Sequence, residues 1–70
     1  MRRRTVELIG TNNGVVVGKA RPFAQAWACA SFSPDDGRPI DTDICDTISE
    51  AERWLRNEAR ATDVKRCPAM

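Results

Sequence analysis

The segment Asp46-Thr47-Ile48-Ser49-Glu50-Ala51-Glu52-Arg53-Trp54-Leu55-Arg56-Asn57-Glu58-Ala59-Arg60-Ala61 constrains the fold more than any other. At about 100° per residue, Ile48, Ala51, Leu55, Ala59 and Thr62 fall on one stripe of a helix, while Ser49, Arg53, Asn57 and Arg60 point the other way. Thr47 followed three residues later by Glu50 forms a capping box, in which the hydroxyl takes the Glu50 backbone N–H and the carboxylate reaches back to the cap, so the start of the helix is fixed. A lone helix with one apolar stripe must bury it against another element. Only the strand-forming sequence before it offers that surface.

Thr5 to Ile9 alternates as a first strand, with Val6 and Leu8 on one face and Glu7 on the other. Asn13-Gly14 suits the positive φ angles of a tight hairpin turn, so Val15-Val16-Val17 returns antiparallel beside it. Three consecutive valines do not alternate, which implies a central strand or a surface covered by another chain. Pro22 cannot donate to a ladder, so the second strand is expected to stop or bulge there. Residues 24–32 admit two readings. As a helix they have Pro22 near the first turn and many alanines; as a strand, Ala24, Ala26, Ala28, Ala30 and Phe32 form one face and Gln25, Trp27, Cys29 and Ser31 the other. The strand is favoured because a row of alanines makes a shallow trough in which the helix carrying Leu55 could settle, leaving Trp27 on the uncovered face. Ser33-Pro34-Asp35-Asp36-Gly37 is turn chemistry, after which Arg38 to Cys45 returns as an aspartate-rich edge strand. Glu50 with Arg53 and Glu52 with Arg56 are spaced to support the exposed side of the helix, and Asp63 to Met70 reads as a frayed tail.

The expectation is therefore one α+β domain spanning residues 1–70. It has a three- to four-stranded antiparallel sheet made of two hairpins, one C-terminal helix packed on one face, and flexible ends at 1–4 and 63–70. A chain of 70 residues has little room for a deep substrate pocket, and this one contains no histidine and no tyrosine, which removes the commonest general base and a frequent acid. A binding module, not an enzyme, is expected. Cys29, Cys45 and Cys67 are widely spaced and suggest neither a disulfide framework nor a zinc site, so no metal or cofactor is implied and the thiols read as small buried hydrophobes. No apolar run long enough for a signal peptide or membrane span follows the N-terminal arginines, pointing to a cytoplasmic protein with no membrane association.

Net charge is only +1, but its distribution is uneven. Arg2, Arg3, Arg4, Lys19 and Arg21 against Glu7 leave residues 1–34 at +4; Asp35, Asp36, Asp41, Asp43, Asp46, Glu50 and Glu52 against Arg38 leave residues 35–52 at −6; residues 53–70 return to +3. The acidic middle could present carboxylates along one edge, at spacings comparable with backbone phosphates, to a basic groove that normally holds nucleic acid. The same aspartates also serve as turn formers, a helix cap and solubilising edge charges. Candidate partner-binding residues are Asp35, Asp36, Asp41, Asp43, Asp46 and Trp54, the last as an indole anchor on the flank of the helix stripe or as margin of the core. Trp27 and Val16 are candidates for self-association into a homodimer through the uncovered sheet face. Direct nucleic-acid binding through the arginine-rich ends competes with these readings, but the basic residues lack aromatic interleaving.

In size, acidic belt and strand-then-helix layout, the chain resembles the small inhibitors that phages and mobile elements make against host nucleic-acid machinery, anti-CRISPR proteins among them. That resemblance implies a non-enzymatic inhibitor or adaptor whose partner is a larger protein or ribonucleoprotein complex with a basic surface. It assigns no role to any individual residue.

Overall fold

The computed structural model describes residues 6–68. These form a five-stranded antiparallel sheet with one helix across one face: β1 (Val6–Asn12), β2 (Val15–Phe23), β3 (Ala26–Phe32), β4 (Pro39–Cys45), α1 (Ile48–Asn57) and β5 (Asp63–Pro68). The spatial order is β4-β3-β2-β1-β5. The α+β class and the antiparallel sheet are as expected; the number of strands is not. Residues 63–68, expected to fray, pair with β1 from Val6 opposite Pro68 to Thr11 opposite Asp63. The sequence between helix and strand accounts for this. Arg60 adopts a left-handed φ of 62°, the Ala61 N–H returns to the Leu55 carbonyl at 3.0 Å, and the Thr62 N–H donates to the Thr11 carbonyl at 2.8 Å. The first two contacts are the closing geometry of a helix C-terminus. They end α1 at Asn57, short of the expected Ala61, and deliver the chain to the free side of β1. The expected flexible end at 1–4 lies outside the described residues.

Asn13 and Gly14, with φ of 54° and 78°, make the anticipated two-residue turn between β1 and β2. A second tight turn, Ala24-Gln25 with Ala24 at φ 56°, joins β2 to β3 and was not anticipated, because alanine gives no turn signal. Residues 26–32 are a strand, as favoured. Pro22 sits inside β2 without ending it: β2 pairs with β1 only from Val15 to Ala20, so beyond that point one side of β2 is open and the missing N–H has no partner there to lose. The valine run sits in the middle strand of the five, and a bulge where Thr11 opposes Val16 and Gly10 opposes Gly18 breaks its alternation.

The helix lies on the face carrying Leu8, Val17, Ala20 and Cys29, which are buried together with Ala51, Leu55, Ala59 and Ala61. Leu8 and Leu55 are the two large side chains fully enclosed among the described residues. Such a core of small residues demands close approach of backbone to backbone. Two glycines permit it: a Cβ at Gly10 would stand 2.8 Å from the Ala61 Cβ, and one at Gly18 would stand 2.7 Å from Leu55 Cδ2. The trough that seats the helix is thus made by glycines on β1 and β2, and the expected seat on the alanines of β3 is incorrect. On β3 it is Cys29 and Ser31 that are buried and Trp27 that packs against the core, while Ala28, Ala30 and Phe32 line the uncovered face. Side-chain volume explains the reversal. Trp27 lies toward the helix because its indole fills the margin of a core otherwise short of large residues, whereas an alanine row there would leave it empty.

Candidate functional site

The hydroxyl half of the capping box forms as the spacing dictates, and the carboxylate reaches one residue beyond the cap. Thr47 Oγ1 accepts from the Glu50 N–H at 3.1 Å, and Glu50 Oε1 accepts at 3.1 Å from the N–H of Asp46, one residue before the cap. This sets the first turn of α1 beside the end of β4. The result is a groove of about 370 Å³ between the edge strand and the flank of the helix, lined by Cys45, Asp46, Glu50, Trp54 and Glu58 together with Arg53 and Asn57. Trp54 serves both alternatives raised by its position on the stripe: it is half-buried against the core, and it walls the groove.

Asp41 and Asp43 stand on β4 opposite Ser31 and Cys29, hence on the helix side of the sheet, but beyond the cover of the helix and exposed. Asp41 Oδ1 accepts from the Thr42 N–H at 2.9 Å and Asp43 Oδ1 from the Ile44 N–H at 2.7 Å. Because β4 is an edge strand, these contacts occupy amide groups that would otherwise be open to another strand. The carboxylates keep their remaining lone pairs. Asp35 and Asp36 lie in the turn before β4, where the Ser33 and Gly37 amides and the Ser33 and Arg38 carbonyls close the loop. Asp36 bonds the Arg38 amide at 3.1 Å and its guanidinium at 3.5 Å, an exposed pair of little energetic weight.

The structure therefore gathers Asp46 and Trp54 into one groove and places Asp41 and Asp43 on the strand that borders it, with Asp35 and Asp36 at the far end of that strand. Of these carboxylates, Asp36 alone has an arginine partner among the described ion pairs. The helix pairs expected from spacing are replaced by a longer-range one, Glu52 to Arg66 of β5 at 3.2 Å, while Arg56 donates to the Thr62 carbonyl at 3.4 Å. Glu50, Asn57 and Glu58 belong to the groove but are not among the candidate binding residues read from sequence; the signal is that each follows a groove residue, Asp46, Arg53 or Trp54, by four positions.

Of the self-association candidates, Val16 is 39% exposed on the uncovered face, but Trp27 is not there. That face holds a second concavity of about 510 Å³, with Ala28, Ala30 and Phe32 as its floor and Lys19, Arg21 and Ile44 at its sides. Arg2 to Arg4 lie outside the described residues. Among the described residues no cluster of three or more cysteine, aspartate or glutamate side chains is arranged to hold a metal ion, and no helix is long and apolar enough to cross a membrane.

Cys29 is 2% exposed and its thiol contacts that of Cys45 at 3.5 Å. Burial, then the hydrogen bond and charge of Cys45, then the charge of Asp43, push the Cys29 pKa from 9.0 up to about 12. Cys29 is thus held in its protonated form at neutral pH. Compared with protein-family models, curated proteins and solved structures, the chain matches none.

Proposed function

We propose that this protein is a small non-enzymatic inhibitor or adaptor that docks its acidic edge on a basic, nucleic-acid-binding surface of a larger protein or ribonucleoprotein complex. The observation that supports this reading is the convergence of Asp46, Glu50, Glu58 and the Trp54 indole in one groove, continued by the exposed carboxylates of Asp41 and Asp43. An indole beside carboxylates suits an arginine or lysine side chain, which gains cation–π contact and opposite charge together. Since the Thr42 and Ile44 amides of β4 are already held by Asp41 and Asp43, the partner is expected to meet side-chain charge rather than to extend the sheet as a further strand.

The test starts with capture of partners from a host lysate on the tagged protein, with and without nuclease, followed by association kinetics with the captured protein. Replacing Asp35, Asp36, Asp41 and Asp43 by serine slows association and flattens its dependence on salt, with the circular dichroism spectrum unchanged. Unaltered kinetics in that variant would sink the acidic-edge reading, and capture that disappears with nuclease would favour a nucleic-acid-binding regulator instead.

A second reading, assembly into a homo-oligomer, draws on the uncovered face. Phe23 and Ile44 are 62% and 55% exposed there, an apolar complement to Ala28, Ala30 and Phe32. Sedimentation of the folded protein over a hundredfold range of concentration separates the two: a single monomeric species throughout removes the assembly reading.

A further inference from the structure

Cys29 and Cys45 occupy adjacent strands on the same face of the sheet. Cys29 stands opposite Asp43 and Cys45 opposite Trp27, so the two cysteines are diagonal neighbours, and their sulfurs lie 3.5 Å apart. Cys45 lines the groove between β4 and α1 and is reached from solvent through it, whereas Cys29 is enclosed beneath. We propose that this pair is an oxidisable dithiol, in which Cys45 exchanges with a small disulfide of the glutathione class and Cys29 then closes a reversible bond between β3 and β4.

The chemistry balances in two steps. The Cys45 thiol gives up its proton and attacks one sulfur of glutathione disulfide, forming a mixed disulfide and releasing one glutathione, which takes a proton. The Cys29 thiol then loses its proton, its sulfur attacks the sulfur of Cys45, and the second glutathione leaves. Two protein thiols are oxidised by two electrons, and one glutathione disulfide is reduced to two glutathiones. Attack in the second step is intramolecular between sulfurs already in contact, which favours closure despite the suppressed acidity of Cys29.

Forming the bond requires the sulfurs to approach from 3.5 Å to about 2.05 Å. The strand that has to move is β4, which has one neighbour and is exposed along its length up to Cys45. Diagonal positions in an antiparallel pair stand about 7–8 Å apart, at the far end of disulfide reach, so closure draws β4 toward β3. Cys67 takes no part, because it lies on β5 at the opposite edge of the sheet.

The experiment uses the Cys67→Ser protein, treated with glutathione disulfide, quenched in acid, alkylated with a maleimide and weighed intact. The expected product is about 2 Da lighter than the reduced protein, takes up no maleimide, and is restored by dithiothreitol. Adding Cys29→Ala stops the reaction at a protein bearing one glutathione, and adding Cys45→Ala leaves the remaining thiol unreacted. Persistence of the glutathione adduct on the Cys67→Ser protein, two maleimides taken up after exhaustive treatment, or undiminished reaction in the Cys45→Ala variant would each overturn the proposal.

Discussion

Replacing Gly18 by alanine tests the seat of the helix directly. The added methyl would stand 2.7 Å from Leu55 Cδ2, 2.8 Å from the Ala59 Cβ and 3.2 Å from the Ala30 carbonyl oxygen. The Leu55 methyl is the end of a flexible side chain, but Leu55 is completely enclosed and has nowhere to turn, and the Ala59 Cβ moves only with the helix backbone. Overpacking of this kind costs about 1–3 kcal/mol. Alanine recovers about 0.5–1 kcal/mol over glycine in a strand, leaving a net destabilisation of about 1 kcal/mol at the middle of these ranges and at most about 2.5 kcal/mol. For a domain of this size each kcal/mol lowers Tm by roughly 4–8 °C, well within reach of thermal unfolding followed by circular dichroism. Ala28→Val is the companion measurement, since Ala28 faces away from the helix and the change there should stay within about 0.5 kcal/mol of zero. If Gly18→Ala were as stable as the parent while Ala28→Val unfolded it, the helix would have to rest on the alanine row after all.

Four further outcomes follow from contacts already described. Thr47→Ala removes the acceptor of the Glu50 amide and should cost about 1 kcal/mol in denaturant titration. Arg60→Gly relieves a left-handed residue and should stabilise the fold by up to about 1 kcal/mol in the same titration, although Asn12 keeps its bond to the residue 60 carbonyl. Deleting residues 63–70 leaves β1 unpaired on one side and should abolish the cooperative unfolding transition, whereas a truly frayed tail would be removed without effect. Finally, Cys29 ionises near 9.0 when unfolded and near 12 when folded, so above pH 9 the unfolded chain has released a proton that the folded one retains. Stability therefore falls as pH rises from 9 toward 12, by at most about 1.4 kcal/mol per unit, and the advantage of the parent over Cys29→Ala should narrow by roughly 1 kcal/mol between pH 8 and 10.

Local chemistry was legible where one residue type decides the backbone: Asn13-Gly14, Thr47 with Glu50, and the turn from Ser33 to Gly37 all act as their side chains require. What depends on an opposing surface was not. Alternation told Trp27, Cys29 and Ser31 apart from Ala28 and Ala30 but could not say which set meets the helix, because that depends on the glycines of two other strands. The last strand escaped notice for a related reason. Asp63-Val64-Lys65-Arg66 is mostly charged, and only Val64 packs on the core, so its pairing is set by the free side of β1 and not by its own hydrophobicity. The acidic character of β4 was legible from composition; that Asp41 and Asp43 each hold the next amide, and that Trp54 joins Asp46 in one groove, required the edge position to be known.

Strand β1 has the most distant pair of neighbours in the chain. On one side it meets β2 through a two-residue turn, while on the other Val6 waits for Pro68. During synthesis the meander β1 to β4 can zip up as each strand emerges from the ribosome, yet the sheet is finished only when the helix has crossed from one margin to the other and the final segment has been released. Pairings of such long separation form slowly, so the half-built molecule displays a bare backbone ladder along β1 until residues 63–68 have emerged and docked.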